Sequence, residues 1–144
     1  MKEPRKKTGN NTVPIKTPKA NGPSKKSFSI VGIGASAGGL EALETFIDHL
    51  PASPGAAIVI IQHLSPKHKS LLGQILQRHT SLPVQEVTDG LEVAPNTVYF
   101  NAPDREVAIF NGKLHLMEPR TDQVVRLPID YFFRSGAQIG RAHV

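Results

Sequence analysis

The 144-residue sequence contains no cysteine and no tryptophan, and aromatic residues make up only 6% of it. The absence of cysteine excludes disulfides, thiolate metal ligands and a cysteine nucleophile. The shortage of aromatics leaves little for stacking bases, so no nucleic-acid partner is expected. The longest apolar run, residues 56–61, is far too short to cross a bilayer, so no membrane insertion is expected. Since no secretory signal is recognisable either, we expect a cytoplasmic protein.

The positive charge is concentrated at the N-terminus. Residues 1–27 contain eight Lys or Arg and one Glu, whereas the remainder contains nine basic and eleven acidic residues. This segment also contains four prolines and almost no large apolar side chains, so it cannot offset its own ordering entropy by burial. We predict that residues 1–27 form a disordered, solubilising leader. The alternative, a basic arm for nucleic acid or anionic lipid, lacks an accompanying aromatic or amphipathic pattern.

The next part of the chain has the pattern of a β–α–β unit. Residues 28–34 are a β-branched run ending in glycine, which is typical of a buried parallel strand. Apolar residues then recur at helical spacing over residues 38–50, and residues 56–61 are a second buried strand. Because the connections are short, the two strands are predicted to be parallel and adjacent.

The remaining pattern mixes helix and short strands. A second helix is predicted over residues 70–79, a third strand over residues 83–87, and another helix from Pro128. Further short strands are predicted at residues 97–100, 106–110 and 113–117. The Asn111-Gly112 pair is typical of a type I′ hairpin turn, so we expect an antiparallel meander attached to the parallel core. The fold class is therefore α/β, with a doubly wound, mainly parallel sheet and an antiparallel hairpin section.

The sharpest chemical feature lies between the first strand and the first helix. Residues 34–39 read Gly-Ala-Ser-Ala-Gly-Gly and match the Gly-x-Ser-x-Gly nucleophile elbow. A sharp turn there projects the Ser36 hydroxyl from the carboxyl edge of the sheet, and small neighbours leave the backbone open to substrate. The N–H of Ala37, at the helix N-terminus, is placed to stabilise a developing oxyanion.

A serine nucleophile needs a base, and His63 is the candidate. The second strand ends in Gln62-His63, so Ser36 and His63 both follow neighbouring parallel strands. Their spacing of 27 residues is about one β–α–β unit. We therefore expect the fold itself to bring His63 within hydrogen-bond reach of Ser36.

Other interpretations of the same segment stay open. Residues 32–37 also fit a Gly-x-Gly-x-x-Ala dinucleotide fingerprint, but that pattern needs an acidic residue where Gln62 and His63 stand. Alternatively, Ser36 only caps the first helix and the glycines serve close packing. A further alternative is that the chain is a non-catalytic regulatory or docking module.

Taken together, residues 28–135 resemble the catalytic domain of the chemotaxis protein-glutamate methylesterases of the CheB type. Residues 28–43, FSIVGIGASAGGLEAL, are similar to the start of that domain, and residues 59–64 are similar to its histidine-bearing strand. Residues 126–135, RLPIDYFFRS, are similar to a later landmark. The resemblance implies a three-layer α/β/α domain that hydrolyses glutamyl methyl esters, and in many members deamidates glutamines, on chemoreceptors.

Residue by residue, the resemblance implies a serine hydrolase site without metal or cofactor. Ser36 would be the nucleophile and His63 the general base. Ala37, Gly38 and Gly39 would form the oxyanion- and substrate-binding turn. The expected partner is a methylated chemoreceptor or a receptor-like protein.

Two departures from the family pattern concern the ends of the chain. The family's triad aspartate and second oxyanion donor lie in a later Gly-x-Asp-Gly segment that this sequence lacks. We therefore expect residues 28–137 to be a C-terminally truncated domain that is inactive or severely weakened, and poorly folded. Residues 138–144 are expected to be an artefact, because Ile-Gly-Arg-Ala-His-Val is encoded by one frame of a common sequencing adapter. Residues 34–43 after a short leader, together with residues 127–134, resemble fusion proteins in which a methylesterase domain precedes a CheR-type methyltransferase domain. We therefore expect the N-terminal piece of such a fusion.

Overall fold

The computed structural model describes residues 27–63, 71–118 and 128–137. The predicted leader, apart from residue 27, and the predicted adapter-encoded segment lie outside these ranges. The strands of the described part are β1 (Ser29–Ala35), β2 (Ala56–Gln62), β3 (Val84–Glu86), β4 (Leu91–Glu92), β5 (Thr97–Phe100), β6 (Glu106–Phe110) and β7 (Lys113–Met117). Its α-helices are α1 (Leu40–Asp48), α2 (Leu72–His79) and α3 (Pro128–Ala137). None of these helices is long and apolar enough to cross a membrane.

The strands form two sheets. The larger sheet is wholly parallel and has the order β1-β2-β5-β3, and the smaller one is antiparallel with the order β4-β7-β6. β1 and β2 are adjacent and parallel, which confirms the predicted β–α–β unit. Asn111 and Gly112, between β6 and β7, both have positive φ, 49° and 71°, which confirms the predicted type I′ turn.

Alternate residues of β2 face two different helical layers. Val59 and Ile61 belong to a buried cluster with Phe132 of α3 and the antiparallel sheet. Ile58 and Ile60 belong to a second cluster, which packs under α1 and α2. A strand buried on both faces is continuously apolar, which is how this stretch of sequence reads. The parallel sheet is thus the middle layer of three, and the predicted α/β class with a mainly parallel sheet is confirmed.

One strand lies in a different sheet from the one we expected. Residues 97–100 were predicted to open the antiparallel meander, but β5 lies in the parallel sheet between β2 and β3. All four of its residues are buried, since both edges and both faces of the strand are covered. The meander instead recruits β4, which pairs with β7.

The first strand is also less buried than predicted. Ile30 and Val31 of β1 are 38% and 37% exposed, whereas residues 57–62 of β2 are all buried. Within the described part of the chain, β1 pairs with β2 alone and is an outer strand of the sheet. The prediction of a parallel strand is therefore confirmed, but the prediction of a buried one is wrong.

Helix α3 approaches β1 closely because Gly32 has no side chain. A Cβ at Gly32 would lie 2.8 Å from Phe132 and 3.0 Å from Phe133, which is too close for two carbon atoms. The glycine therefore lets the aromatic side chains of α3 lie directly against the backbone of the strand that leads to Ser36.

Candidate active site

Ser36 lies at the carboxyl edge of the parallel sheet, directly after β1. Its backbone is still extended, with φ −78° and ψ 171°, and a short 3₁₀ turn, Ala37–Gly39, follows before α1 begins. The Ser36 carbonyl accepts a hydrogen bond from Gly39 N at 2.9 Å, which closes this turn. Ser36 occupies the N-cap position of this turn, but its side chain is exposed and makes no capping hydrogen bond, so its hydroxyl is not used as a cap.

His63 leaves the same edge of the sheet from the neighbouring strand. The register pairs Ala35 with Gln62, so Ser36 and His63 are the next residues of two adjacent parallel strands. The backbone N–H of His63 donates to the carbonyl of Ala35 at 3.1 Å, which continues the strand pairing as far as His63. Adjacent strands are about 4.8 Å apart, so the two backbones are neighbours. The fold thus brings together the two residues that the sequence predicted to meet.

The two side chains are not hydrogen-bonded to each other. The hydrogen bonds of the described residues do not include one between the Ser36 hydroxyl and the His63 imidazole. His63 takes part in none of the ion pairs of this same part of the chain. Hydrogen bonds of this kind are commonly long without substrate and shorten when it binds.

The turn after Ser36 is narrow on one side and open on the other. A Cβ at Gly39 would lie 3.2 Å from the Ala35 Cβ, so this glycine packs closely against the end of β1. A Cβ at Gly38 would meet no described atom within 4 Å. Ala37 opens the turn, at a helical end whose first N–H groups lack intrahelical partners. The structure therefore leaves open space beside Gly38, next to the predicted nucleophile.

Sequence reasoning missed a buried pair of amides behind the site, Gln62 and Asn101. Asn101 follows β5 and is 3% exposed; its Oδ1 accepts from Gln62 N at 2.8 Å and its Nδ2 donates to Gln62 O at 2.9 Å. The Gln62 side chain is also buried and donates from Nε2 to the Ser36 carbonyl at 3.5 Å. A polar residue directly after a buried strand, as Asn101 is after β5, was the available signal.

The other described histidines lie away from this edge. His79 of α2 bonds through Nδ1 to Asp48 of α1 at 2.8 Å, and His115 lies 3.5 Å from Asp89. Asp89 also accepts from Leu116 N at 3.0 Å, as expected of a turn residue. No group of three metal-binding side chains occurs among the described residues. His68 lies outside the described ranges.

Fold and site together define an α/β protein whose candidate groups stand at the carboxyl ends of adjacent parallel strands, the usual place for active sites in this class. Comparison with known families gives the particular identity. Residues 31–144 match the family described as CheB methylesterase, and the chain belongs to that family. It is a family of carboxylic ester hydrolases, which confirms the resemblance seen in the sequence.

Individual relatives support the same assignment. The chain is 34% identical over 131 residues to a protein-glutamate methylesterase/protein-glutamine glutaminase of Pseudomonas aeruginosa, and 34% identical over 117 residues to one of Thermotoga maritima. These matches cover 90% and 78% of this chain. The crystal structure of the Thermotoga maritima CheB methylesterase catalytic domain superposes with a TM-score of 0.67 at 35% identity, covering 78% of this chain.

The chain is much shorter than these relatives. It spans 38% of the Pseudomonas aeruginosa protein, 34% of the Thermotoga maritima protein and 62% of the solved catalytic domain. None of these matches tests the predicted fusion to a methyltransferase domain or the predicted domain boundaries, which stay predictions.

Proposed function

We propose that Ser36 and His63 are the nucleophile and the general base of a serine hydrolase site that acts on glutamyl methyl esters of chemoreceptors. One observation carries the proposal: an exposed serine hydroxyl without a capping role stands beside an exposed histidine at the ends of two adjacent parallel strands. The names of the relatives, which give both methylesterase and glutaminase activities, supply the substrate class.

The proposed reaction has two steps. In the first, Ser36 Oγ attacks the ester carbonyl carbon while its proton passes to His63, and collapse of the tetrahedral intermediate expels methanol, which takes that proton. In the second step His63 deprotonates a water molecule, which attacks the acyl-enzyme and releases the glutamate and Ser36. With a glutamine substrate the leaving group is ammonia. The open space beside Gly38 is where the acyl group would lie.

The backbone of the turn is proposed to hold the developing oxyanion. Ala37 and Gly38 follow the nucleophile at the N-terminal end of the helical segment, where the macrodipole favours negative charge, and their N–H groups would be the donors. The N–H of Gly39 already donates to the Ser36 carbonyl, so Gly39 would shape the turn. Donors fixed in this way stabilise the tetrahedral intermediate more than the ester, and each lowers the barrier by about 3 kcal/mol in known hydrolases. Apart from the attacking water molecule and the substrate, every group in the proposed reaction belongs to a side chain or to the backbone of the protein.

Among the described residues His63 has no carboxylate partner, the group that usually holds the orientation of a catalytic imidazole. Altering that group in a serine protease lowers kcat by about 10⁴-fold. We therefore propose that the 144-residue chain reacts slowly, and that a single covalent turnover is the appropriate measurement. The cytoplasmic location stays a prediction.

The test is covalent labelling of the 144-residue chain by a fluorophosphonate, followed by intact-mass spectrometry. We expect slow addition of one phosphonyl group, none in Ser36→Ala, and labelling slower by about a hundredfold or more in His63→Gln, since general-base catalysis contributes that much. Ser29→Ala, an exposed serine in β1, is the matched control and should label like the unaltered chain.

Labelling that persists in Ser36→Ala would contradict the assignment of the nucleophile. A folded chain that is never labelled, yet binds a methylated receptor peptide, would favour the alternative of a docking module.

A further inference from the structure

β2 lies between β1, which leads to Ser36, and β5, which leads to Asn101. Gln62 is the last residue of β2 and directly precedes His63. Whatever fixes the backbone at Gln62 therefore also fixes the point from which the His63 side chain leaves the sheet.

Asn101 fixes that backbone with its side chain. Its amide makes both hydrogen bonds that a neighbouring strand would make to Gln62, accepting at 2.8 Å from the N–H and donating at 2.9 Å to the carbonyl. Asn101 N also donates to Ile60 O at 3.2 Å, so the side-chain bonds extend the pairing of β5 with β2 by one residue. Asn101 is 3% exposed. Burying an amide costs free energy unless its hydrogen bonds are made, and here they are made to Gln62.

The peptide bond between Gln62 and His63 is consequently held from both sides. Its carbonyl oxygen accepts from Asn101 Nδ2 at 2.9 Å, and its N–H donates to the Ala35 carbonyl at 3.1 Å. Ala35 is the residue immediately before Ser36. The same peptide plane thus links Asn101 to the strand that carries the predicted nucleophile, and the Gln62 side chain adds a long contact to the Ser36 carbonyl.

We propose that Asn101 is a positioning residue that sets the orientation of the His63 imidazole relative to Ser36 Oγ by fixing the Gln62–His63 peptide plane. The inference rests on the proposed function, because only a general base needs its ring directed at the nucleophile. It goes beyond the roles of Ser36 and His63, because Asn101 touches neither reacting atom.

The chain offers a matched control at the opposite edge of the same two strands. Asn96 Oδ1 accepts from Gly55 N at 2.7 Å; Gly55 immediately precedes β2 and Asn96 immediately precedes β5. Asn96 has φ 57°, a conformation that glycine adopts freely, so Asn96→Gly removes the side-chain bond without straining the backbone. Asn96→Gly and a substitution of Asn101 therefore each remove an asparagine side-chain bond between β2 and β5. The Asn101 bond lies next to the site, and the Asn96 bond lies away from it.

The experiment measures fluorophosphonate labelling of Ser36 in the 144-residue chain over a range of probe concentrations. Asn101→Asp keeps the size of the side chain but replaces the donor to Gln62 O by an oxygen. We expect its maximal labelling rate to fall about tenfold to a hundredfold, the size of effect that small misplacement of a reacting group causes, with an unchanged half-saturating concentration. Asn96→Gly should label within about twofold of the unaltered chain.

Two further measurements keep the test decisive. If Asn101→Asp is partly unfolded, the observed labelling rate falls in proportion to the folded fraction, which urea denaturation measures, so the rate divided by that fraction still reports the position of His63. Asn101→Ala gives a second reading. Hydrogen exchange of the His63 amide should be faster in both Asn101 variants and unaltered in Asn96→Gly. That pattern is not expected of a general loss of stability.

Each outcome separates the two proposals. A labelled unaltered chain with an unaltered maximal rate in Asn101→Asp overturns the positioning role and leaves the proposed function standing. A folded chain that is never labelled overturns the proposed function, and unchanged exchange of the His63 amide in Asn101→Asp then overturns the positioning role as well. Slower labelling together with faster exchange of the His63 amide, in the Asn101 variants alone, supports the positioning role of Asn101.

Discussion

β1 and β2 are adjacent parallel strands of seven residues, and each leads directly into one of the two proposed reacting groups. They differ in how they are held. β2 is paired on both edges, its residues 57–62 are buried, and its end is tied by Asn101. β1 is paired on one edge within the described residues, and four of its seven residues are exposed.

The difference indicates a division of roles between the strands. The base follows a strand embedded in both core clusters, so its position is set by the core of the protein. The nucleophile follows a strand whose position depends on β2 on one side and on the contact of α3 with Gly32 on its face. Perturbing β2 should therefore disturb the whole fold, and perturbing β1 should disturb mainly the approach to Ser36.

The largest expected effect is on stability and tests this contrast directly. Ile60 of β2 is fully buried and Ile30 of β1 is 38% exposed. Truncating a buried isoleucine to alanine costs about 2–5 kcal/mol because it removes packing and leaves a cavity, whereas an exposed position costs about 0.5 kcal/mol. We expect Ile60→Ala and Ile30→Ala to differ accordingly in the free energy of unfolding measured by urea denaturation.

Equal losses in the two isoleucine variants would contradict the contrast, since they would mean that β1 is packed as tightly as β2 in solution. The slope of the free energy with urea concentration should be the same in both variants, because each keeps the compactness of the unfolded chain.

A smaller loss is expected at the contact between α3 and β1. In Gly32→Ala the new methyl group would lie 2.8 Å from Phe132 and 3.0 Å from Phe133, so the helix or its aromatic side chains must move. Overpacking of this kind costs about 1–3 kcal/mol, which thermal or urea denaturation would detect. Slower labelling of Ser36 is expected as well, because β1 carries the displacement to the site.

Gly136→Ala is the matched control for that contact. A Cβ at Gly136 would lie 3.8 Å from Ile109, an ordinary contact distance, and α3 favours alanine over glycine. We expect it to be neutral or slightly stabilising. If Gly32→Ala were equally harmless, α3 would not pack on β1 as closely as the structure indicates.

Much of this architecture could be predicted from local patterns. The apolar periodicity located β1, α1 and β2 to within two residues, and Asn111-Gly112 fixed the hairpin turn. The place of β5 could not be predicted in this way. Its four residues read equally well as a meander strand, and only the tertiary structure inserts them between β2 and β3.

The residues of the site also differ in how well the sequence could predict them. Ser36 and His63 could be predicted because each ends a recognisable strand and because parallel neighbours share an edge. Asn101 had only an ambiguous signal, because its role depends on β5 lying beside β2 and an asparagine after a strand also reads as a turn residue. Likewise, the exposure of β1 is set by which strands flank it, and its own apolar composition carries no information about that.

The smallest expected effect on stability is at Gly38, where the same substitution is nevertheless expected to slow labelling of Ser36. A methyl group there would meet no described atom within 4 Å, and Gly38 has no positive φ that would require glycine. We expect Gly38→Ala to leave the free energy of unfolding unchanged or raised by about 0.5 kcal/mol, because alanine lowers the entropy of the unfolded chain. The same methyl group would stand in the space that the acyl group needs beside Ser36, so fluorophosphonate labelling should slow through a higher half-saturating concentration. Unaltered labelling in Gly38→Ala would mean that the acyl group does not lie in the space beside Gly38, and would contradict that part of the proposed site.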